Sequence, residues 1–196
     1  MRPVRRFASF GFFAGALLLS GCVPPKATIS ATRDAAYAQE PKRVMVIETI
    51  GDELGHYHDT FKADLSRRML DCGATIDFTV RPPRDPLALD NSAALAQQRK
   101  EDDLIREFGA DALLQITQNW VIKSDSIPPL PRMIGYSLRL IDVPTKKAVW
   151  TADVRLFTAI DLVTIGDPGA AFARDTMTKL VQDKIFSSCS AANLRS

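Results

Sequence analysis

Residues that carry catalytic or metal-binding chemistry are few in this 196-residue chain, which has only two histidines and three cysteines. The sequence has no Gly-x-Ser-x-Gly motif, which argues against a hydrolase built on a nucleophile elbow. It has no Gly-Lys-Ser/Thr motif either, which argues against a phosphate-binding loop. Among its 23 acidic residues, no spacing selects a carboxylate pair for glycoside chemistry. We therefore expect a protein that is not an enzyme and holds no cofactor.

An excess of charge of one sign is also missing. The whole chain has 25 basic and 23 acidic residues, and three of the basic ones are Arg2, Arg5 and Arg6. Residues 22–196 therefore carry a net charge of about −1. Nucleic-acid binding needs a clustered basic face, so no nucleic-acid partner is expected.

Long apolar runs are limited to one, at residues 7–19, directly after the three N-terminal arginines. A basic start, an apolar core and small residues before a cut are the layout of a secretory signal peptide. The run is shorter than the roughly 20 residues that a membrane-spanning helix needs. Residues 1–21 are therefore predicted to be a signal peptide.

Residues 19–22 (Leu-Ser-Gly-Cys) resemble the bacterial lipobox. The resemblance implies cleavage before Cys22 and covalent lipid, including palmitate, on the Cys22 thiol. Two or three acyl chains would anchor the protein firmly. Val23 stands where aspartate would signal retention in the inner membrane, so the resemblance implies the periplasmic face of the outer membrane. The alternative is an ordinary signal peptide in which Cys22 lies near the cut by chance.

The two other cysteines, Cys72 and Cys189, form an even pair in a chain that we expect to mature in an oxidising compartment. A disulfide between them is one hypothesis. The alternative is two small buried apolar residues that never meet.

Periodicity predicts one α+β domain. Residues 22–41 begin with a lipidated cysteine, contain Pro24 and Pro25, and show no sustained apolar period, so we interpret them as a flexible tether. The domain is expected at 42–190, followed by a polar tail at 191–196.

The predicted order of elements in this domain is strand, helix, strand, helix, three strands, helix, in a mixed sheet with the helices packed on one face. The predicted strands are 43–50, 75–80, 112–122, 133–141 and 147–157, and the helices lie near 57–71, 92–108 and 170–185.

Two stretches, 108–114 (FGADALL) and 140–150 (LIDVPTKKAVW), resemble a loose group of small envelope lipoproteins that share the fold of the TolB N-terminal domain. The group includes CsgG, PelC and LpoB. The resemblance implies a structural or accessory role in an envelope assembly or export machine and assigns no catalytic residues. A second reading within the group is a regulator of peptidoglycan synthesis, like LpoB.

Strict alternation in the late strands predicts one covered and one polar face. Leu114, Ile116, Trp120 and Ile122 are assigned to the covered face. The polar face is a candidate contact surface for another envelope protein or for a copy of this chain, and the alternative is a merely solvated face. Its predicted members are Gln115, Thr117, Asn119, Arg139, Asp153 and Arg155.

His56 and His58 lie among acidic residues in the segment 52–59. Imidazole and carboxylate both bind zinc or copper, so the pair is a weak metal candidate, and an envelope metalloprotein or hydrolase is a further alternative. Residues two apart do not share a helix face, and no distant cysteine or histidine pair completes a familiar ligand spacing. We therefore expect no metal site.

Overall fold

A computed structural model describes residues 25–51, 55–82, 92–123, 125, 131–158 and 166–189, without the side chains of 55, 56, 131 and 132. The predicted signal peptide, Cys22, the predicted tail at 191–196 and the side chain of His56 therefore lie outside the described residues. In the part of the chain that is described, no helix is both long and apolar enough to cross a membrane.

The described chain forms one mixed sheet and three helices. The strands are β1 (Lys26–Arg33), β2 (Arg43–Thr49), β3 (Thr75–Val80), β4 (Ala112–Lys123), β5 (Pro131–Asp142) and β6 (Lys147–Phe157). The helices are α1 (Gly55–Asp71), α2 (Ser92–Phe108) and α3 (Pro168–Gln182). The strand order is β1-β6-β5-β4-β2-β3, with β2 parallel to β3 and β4 and the other pairs antiparallel. The predicted α+β class, single domain and mixed sheet are confirmed.

The main core lies between the sheet and the helices α1 and α3. The ring of Phe172 from α3 stacks between Phe61 of α1 and Tyr136 of β5, with ring centroids 4.8 and 4.7 Å apart. Asp167 caps α3 by accepting hydrogen bonds from the backbone N–H groups of Gly169 and Ala170, as N-cap acids do. A Cβ at Gly169 would overlap the Tyr57 backbone oxygen, so this glycine lets the two helices meet closely.

Helix α2 lies on the opposite face of the sheet, so the prediction that the helices pack on one face is wrong. A second, smaller core forms there, where Met45, Ile47 and Leu113 meet side chains of α2. The strand order explains the difference. The chain steps from β2 outward to β3 and then back across β2 to β4. Because both crossovers between parallel strands should be right-handed, the two connecting helices fall on opposite faces.

Residues 26–33 form the edge strand β1, so the prediction that 22–41 is a flexible tether is wrong. All eight residues pair with β6, from Lys26 opposite Phe157 to Arg33 opposite Trp150. Ala27 N–H also donates to Asp175 of α3 at 2.8 Å. The inward-facing side chains of β1 are Ala27, Ile29, Ala31 and Arg33. A single large apolar residue among them gives little apolar signal in the sequence.

Cys72 and Cys189 form a disulfide that joins the end of α1 to the segment after α3. The bond closes a loop with a sequence separation of 117. On the chain-entropy model such a cross-link stabilises the fold by about 4 to 5 kcal/mol. Ser188 adds to this junction, since its hydroxyl donates to the Cys72 carbonyl at 3.1 Å.

The placement of β1 predicts a difference between two aspartate substitutions in this strand. Ile29 is partly buried and packs against the main core, whereas Thr32 is exposed. Ile29→Asp should lower the free energy of unfolding by about 2 kcal/mol or more, because it buries a carboxylate without a partner. Thr32→Asp should change it by less than about 0.5 kcal/mol. Urea unfolding measures both, and equal small effects would mean that residues 26–33 do not pack on the sheet.

Candidate functional site

The face of the sheet that carries α2 is covered by that helix only near β2 and the start of β4. Farther along, β4, β5, β6 and β1 present a polar surface on which no described helix packs. We call this surface the open face. Its polar residues are Gln115, Thr117, Asn119, Ser137, Arg139, Thr151, Asp153, Arg155, Thr28, Ser30 and Thr32.

The register brings all six predicted contact residues onto the open face. Gln115 lies opposite Arg139, and Thr117 lies opposite Ser137, which in turn lies opposite Asp153. Asn119 reaches the same surface by donating a hydrogen bond from Nδ2 to Ser137 Oγ at 2.6 Å. The remaining members are Arg139 beside Thr151 and Arg155 beside Thr28.

The open face combines both signs of charge on a rigid support. Arg139 and Arg155 stand on either side of Asp153 along two adjacent strands, and the other polar residues of the face are neutral hydroxyl or amide side chains. Cross-strand pairing holds these groups at the fixed spacing of the sheet. A polar surface with charges of both signs has the chemistry of a protein contact rather than that of a nucleic-acid-binding surface.

One end of the open face is apolar, which sequence alternation did not predict. A β-bulge between Gln118 and Trp120 shifts the alternation by one residue. As a result, Trp120 and Ile122 lie on the open face and not on the covered face to which they were assigned. Gly135 faces Trp120, and a Cβ there would overlap the indole ring, so the ring lies across the backbone of β5.

We call this region the apolar end, formed by Trp120, Ile122, Met133 and Phe157. Ile122, Met133 and Phe157 are consecutive partners across β4, β5 and β6. The exposed fractions of Trp120, Ile122 and Phe157 are 39%, 52% and 43%. Three large apolar side chains exposed side by side are uncommon on the surface of a soluble domain and typically mark a contact site.

A second candidate lies on the other face, where a buried acid meets two basic side chains. Glu48 at the end of β2 is 1% exposed. His58 Nε2 lies 2.5 Å from Glu48 Oε2, and Lys62 Nζ lies 3.7 Å from the same oxygen. His58 and Lys62 are four residues apart on α1, so they share a helix face. Burial raises the pKa of Glu48, and the hydrogen bond and charge of His58 together with Lys62 partly offset this rise.

The cavity beside this acid limits what it can do chemically. Its volume is about 20 Å³ and its lining includes Tyr57, Phe61 and Phe172. Among the described residues, that volume holds about one water molecule. Within the described residues, no three histidine, cysteine, aspartate or glutamate side chains converge on a metal position. The contacts of Glu48 with His58 and Lys62 hold the start of α1 against the end of β2.

The comparisons with known proteins are structural only, since no family model and no curated protein matches this chain. A single-residue variant of the PelC dodecamer from Paraburkholderia phytofirmans is similar in structure with a TM-score of 0.49 and 16% sequence identity. The match covers 77% of this chain and 96% of PelC. The lipoprotein GNA1162 from Neisseria meningitidis is similar with a TM-score of 0.39 and 18% identity, covering 74% of this chain and 98% of that protein.

The raised pKa of Glu48 predicts a pH dependence of stability. As the pH rises above 4.5, the ordinary carboxyl pKa, Glu48 loses its proton in the unfolded chain before it loses it in the folded protein. The free energy of unfolding should therefore contain a term that is present below pH 4.5 and is lost as the pH rises through the folded pKa. Glu48→Gln should remove this term, which urea unfolding over a pH series measures.

The matched control is Glu107→Gln, because Glu107 is an exposed acid on α2. Near neutral pH, this exposed substitution should change the free energy of unfolding by less than about 0.5 kcal/mol. A Glu48→Gln profile that runs parallel to that of the unsubstituted protein would contradict a raised pKa of Glu48.

Proposed function

We propose that this protein is a lipid-anchored accessory lipoprotein of the bacterial envelope that works by protein contact through the open face. The observation that carries the proposal is the polar, rigid and uncovered surface on four strands of the sheet. An antiparallel sheet often leaves one face to solvent, and here that face carries charges of both signs together with exposed apolar side chains. A face left open in this way suits an interaction surface.

Features at the N-terminus support the anchoring part of the proposal. Residues 1–22 have the layout of a signal peptide that ends in a lipobox-like sequence. The disulfide between Cys72 and Cys189 suits a protein that matures outside the cytoplasm. A covalent lipid on Cys22 would hold the domain on the periplasmic face of the outer membrane, and the chain from Lys26 onward would already be part of the sheet.

The chemistry of the described residues supports contact rather than catalysis. The most enclosed acid, Glu48, is engaged by His58 and Lys62 beside a cavity that holds about one water molecule. The open face, by contrast, presents side chains with hydrogen-bonding groups and both charges directly to solvent. Either another envelope protein or a second copy of this chain would match it.

Site-specific photocrosslinking in cells tests the contact. A photoreactive amino acid replaces the exposed Thr117 on the open face, and the matched control carries it at Lys100, an exposed position on α2. We expect a discrete adduct from position 117 and none from position 100. The adduct mass tells a second copy from another protein. Adducts of equal yield at both positions, or none at 117, would contradict a contact role for this face.

The same strains carrying Cys22→Ala test the anchor. Without the thiol that the lipid needs, the protein should move from the membrane fraction to the soluble fraction. Unchanged recovery with membranes would mean that Cys22 does not anchor the chain.

A further inference from the structure

The apolar end of the open face lies beside the point where the chain enters the sheet. Lys26, the first residue of β1, is the direct partner of Phe157 on β6. Phe157 is the partner of Met133, and Met133 is the partner of Ile122. One row across four strands thus runs from the N-terminal residue of the sheet to Ile122. With strands about 4.8 Å apart, the row is roughly 15 Å wide.

The length of chain between this row and Cys22 is short. Only four residue steps separate Cys22 from Lys26, so their Cα atoms can be at most about 14 Å apart. A lipid on Cys22 would therefore keep Lys26 close to the bilayer surface. The apolar end, which shares a row with Lys26, would be held at the same surface.

The side chains at this end have the chemistry of the membrane interface. Indole rings favour the level of the lipid headgroups, where an apolar ring and a polar N–H are both accommodated. The aliphatic and aromatic neighbours of Trp120 can enter the outer part of the acyl region. Lys26 and Arg155 flank the apolar side chains, and cations so placed favour anionic headgroups.

We propose that the apolar end of the open face rests in the interfacial layer of the bilayer that holds the Cys22 lipid. This inference depends on the lipid anchor of the proposed function. It also gives the domain an orientation. The sheet stands with its Trp120 end on the membrane, and the polar residues of the open face, farther along the strands, remain in water for a partner.

Tryptophan fluorescence of the full lipidated protein in vesicles tests the proposal. The vesicles contain phosphatidylethanolamine and phosphatidylglycerol, with or without bromine on the acyl chains near the headgroup. The sequence has only two tryptophans. Trp150 is buried at 1% exposure and donates to Asp183 Oδ2 at 2.7 Å, so it serves as an internal reference that bromine does not reach.

Brominated lipid should quench the total emission by about a third or more, because Trp120 sits at headgroup depth. In the conservative variant Trp120→Phe, the remaining emission comes from Trp150 and should not be quenched. Equal quenching of both proteins, or quenching of neither, would overturn the proposal. A blue shift of Trp120 emission that depends on protein concentration without quenching would also overturn it, since it would assign the apolar end to a contact between copies.

Vesicle flotation separates failure of this proposal from failure of the anchor. The lipidated protein should float with the vesicles, and Cys22→Ala should float much less. If the lipidated protein floats but Trp120 is not quenched, the anchor stands and the docking is wrong. If Cys22→Ala floats as well as the unsubstituted protein, the anchor is wrong, and Trp120 quenching in that variant then reports whether the apolar end binds lipid by itself.

Discussion

The pairing of β1 with β6 is the interaction on which the rest of the account depends. It extends the sheet to six strands and places Lys26 at one corner of it. Without this pairing, residues up to 41 would be a tether long enough to let the domain rotate freely. With it, only four residue steps remain between Cys22 and the folded sheet, so attachment of the chain at Cys22 would also fix which end of the sheet lies nearest the attachment point.

The handedness of the two crossover connections explains why a polar face is left open. Two right-handed crossovers in opposite directions place α1 and α2 on opposite sides of β2, and α3 joins α1 on the main core. Of the described helices, α2 alone lies on the second face, where it covers Met45, Ile47 and Leu113. No helix in the described ranges packs on that side of the antiparallel strands that follow, and most of their outward side chains are polar.

Sequence periodicity predicts strands β2 to β6, the three helices and six polar residues of the open face, because strict alternation determines which side chains share a face. It fails where that alternation is weak or interrupted. In β1 Ile29 is the one large apolar residue at an inward position, so periodicity predicts a tether there instead of a strand. In β4 the bulge beyond Gln118 reversed the faces of Trp120 and Ile122. Glu48 is an acid at an inward strand position, in step with Val44 and Val46, and such a position is the sequence signal of a buried acid that needs a partner.

Hydrogen exchange of the backbone amides in residues 26–33 tests this account most directly, since both the orientation and the open face require an ordered β1. In the mature protein, the amides of β1 that bond to β6 should exchange nearly as slowly as their partners in residues 150–157. Exchange throughout residues 26–33 at the rate of an unstructured chain would contradict the account, because β6 would then be the edge of the sheet and the domain would hang from a long, flexible tether.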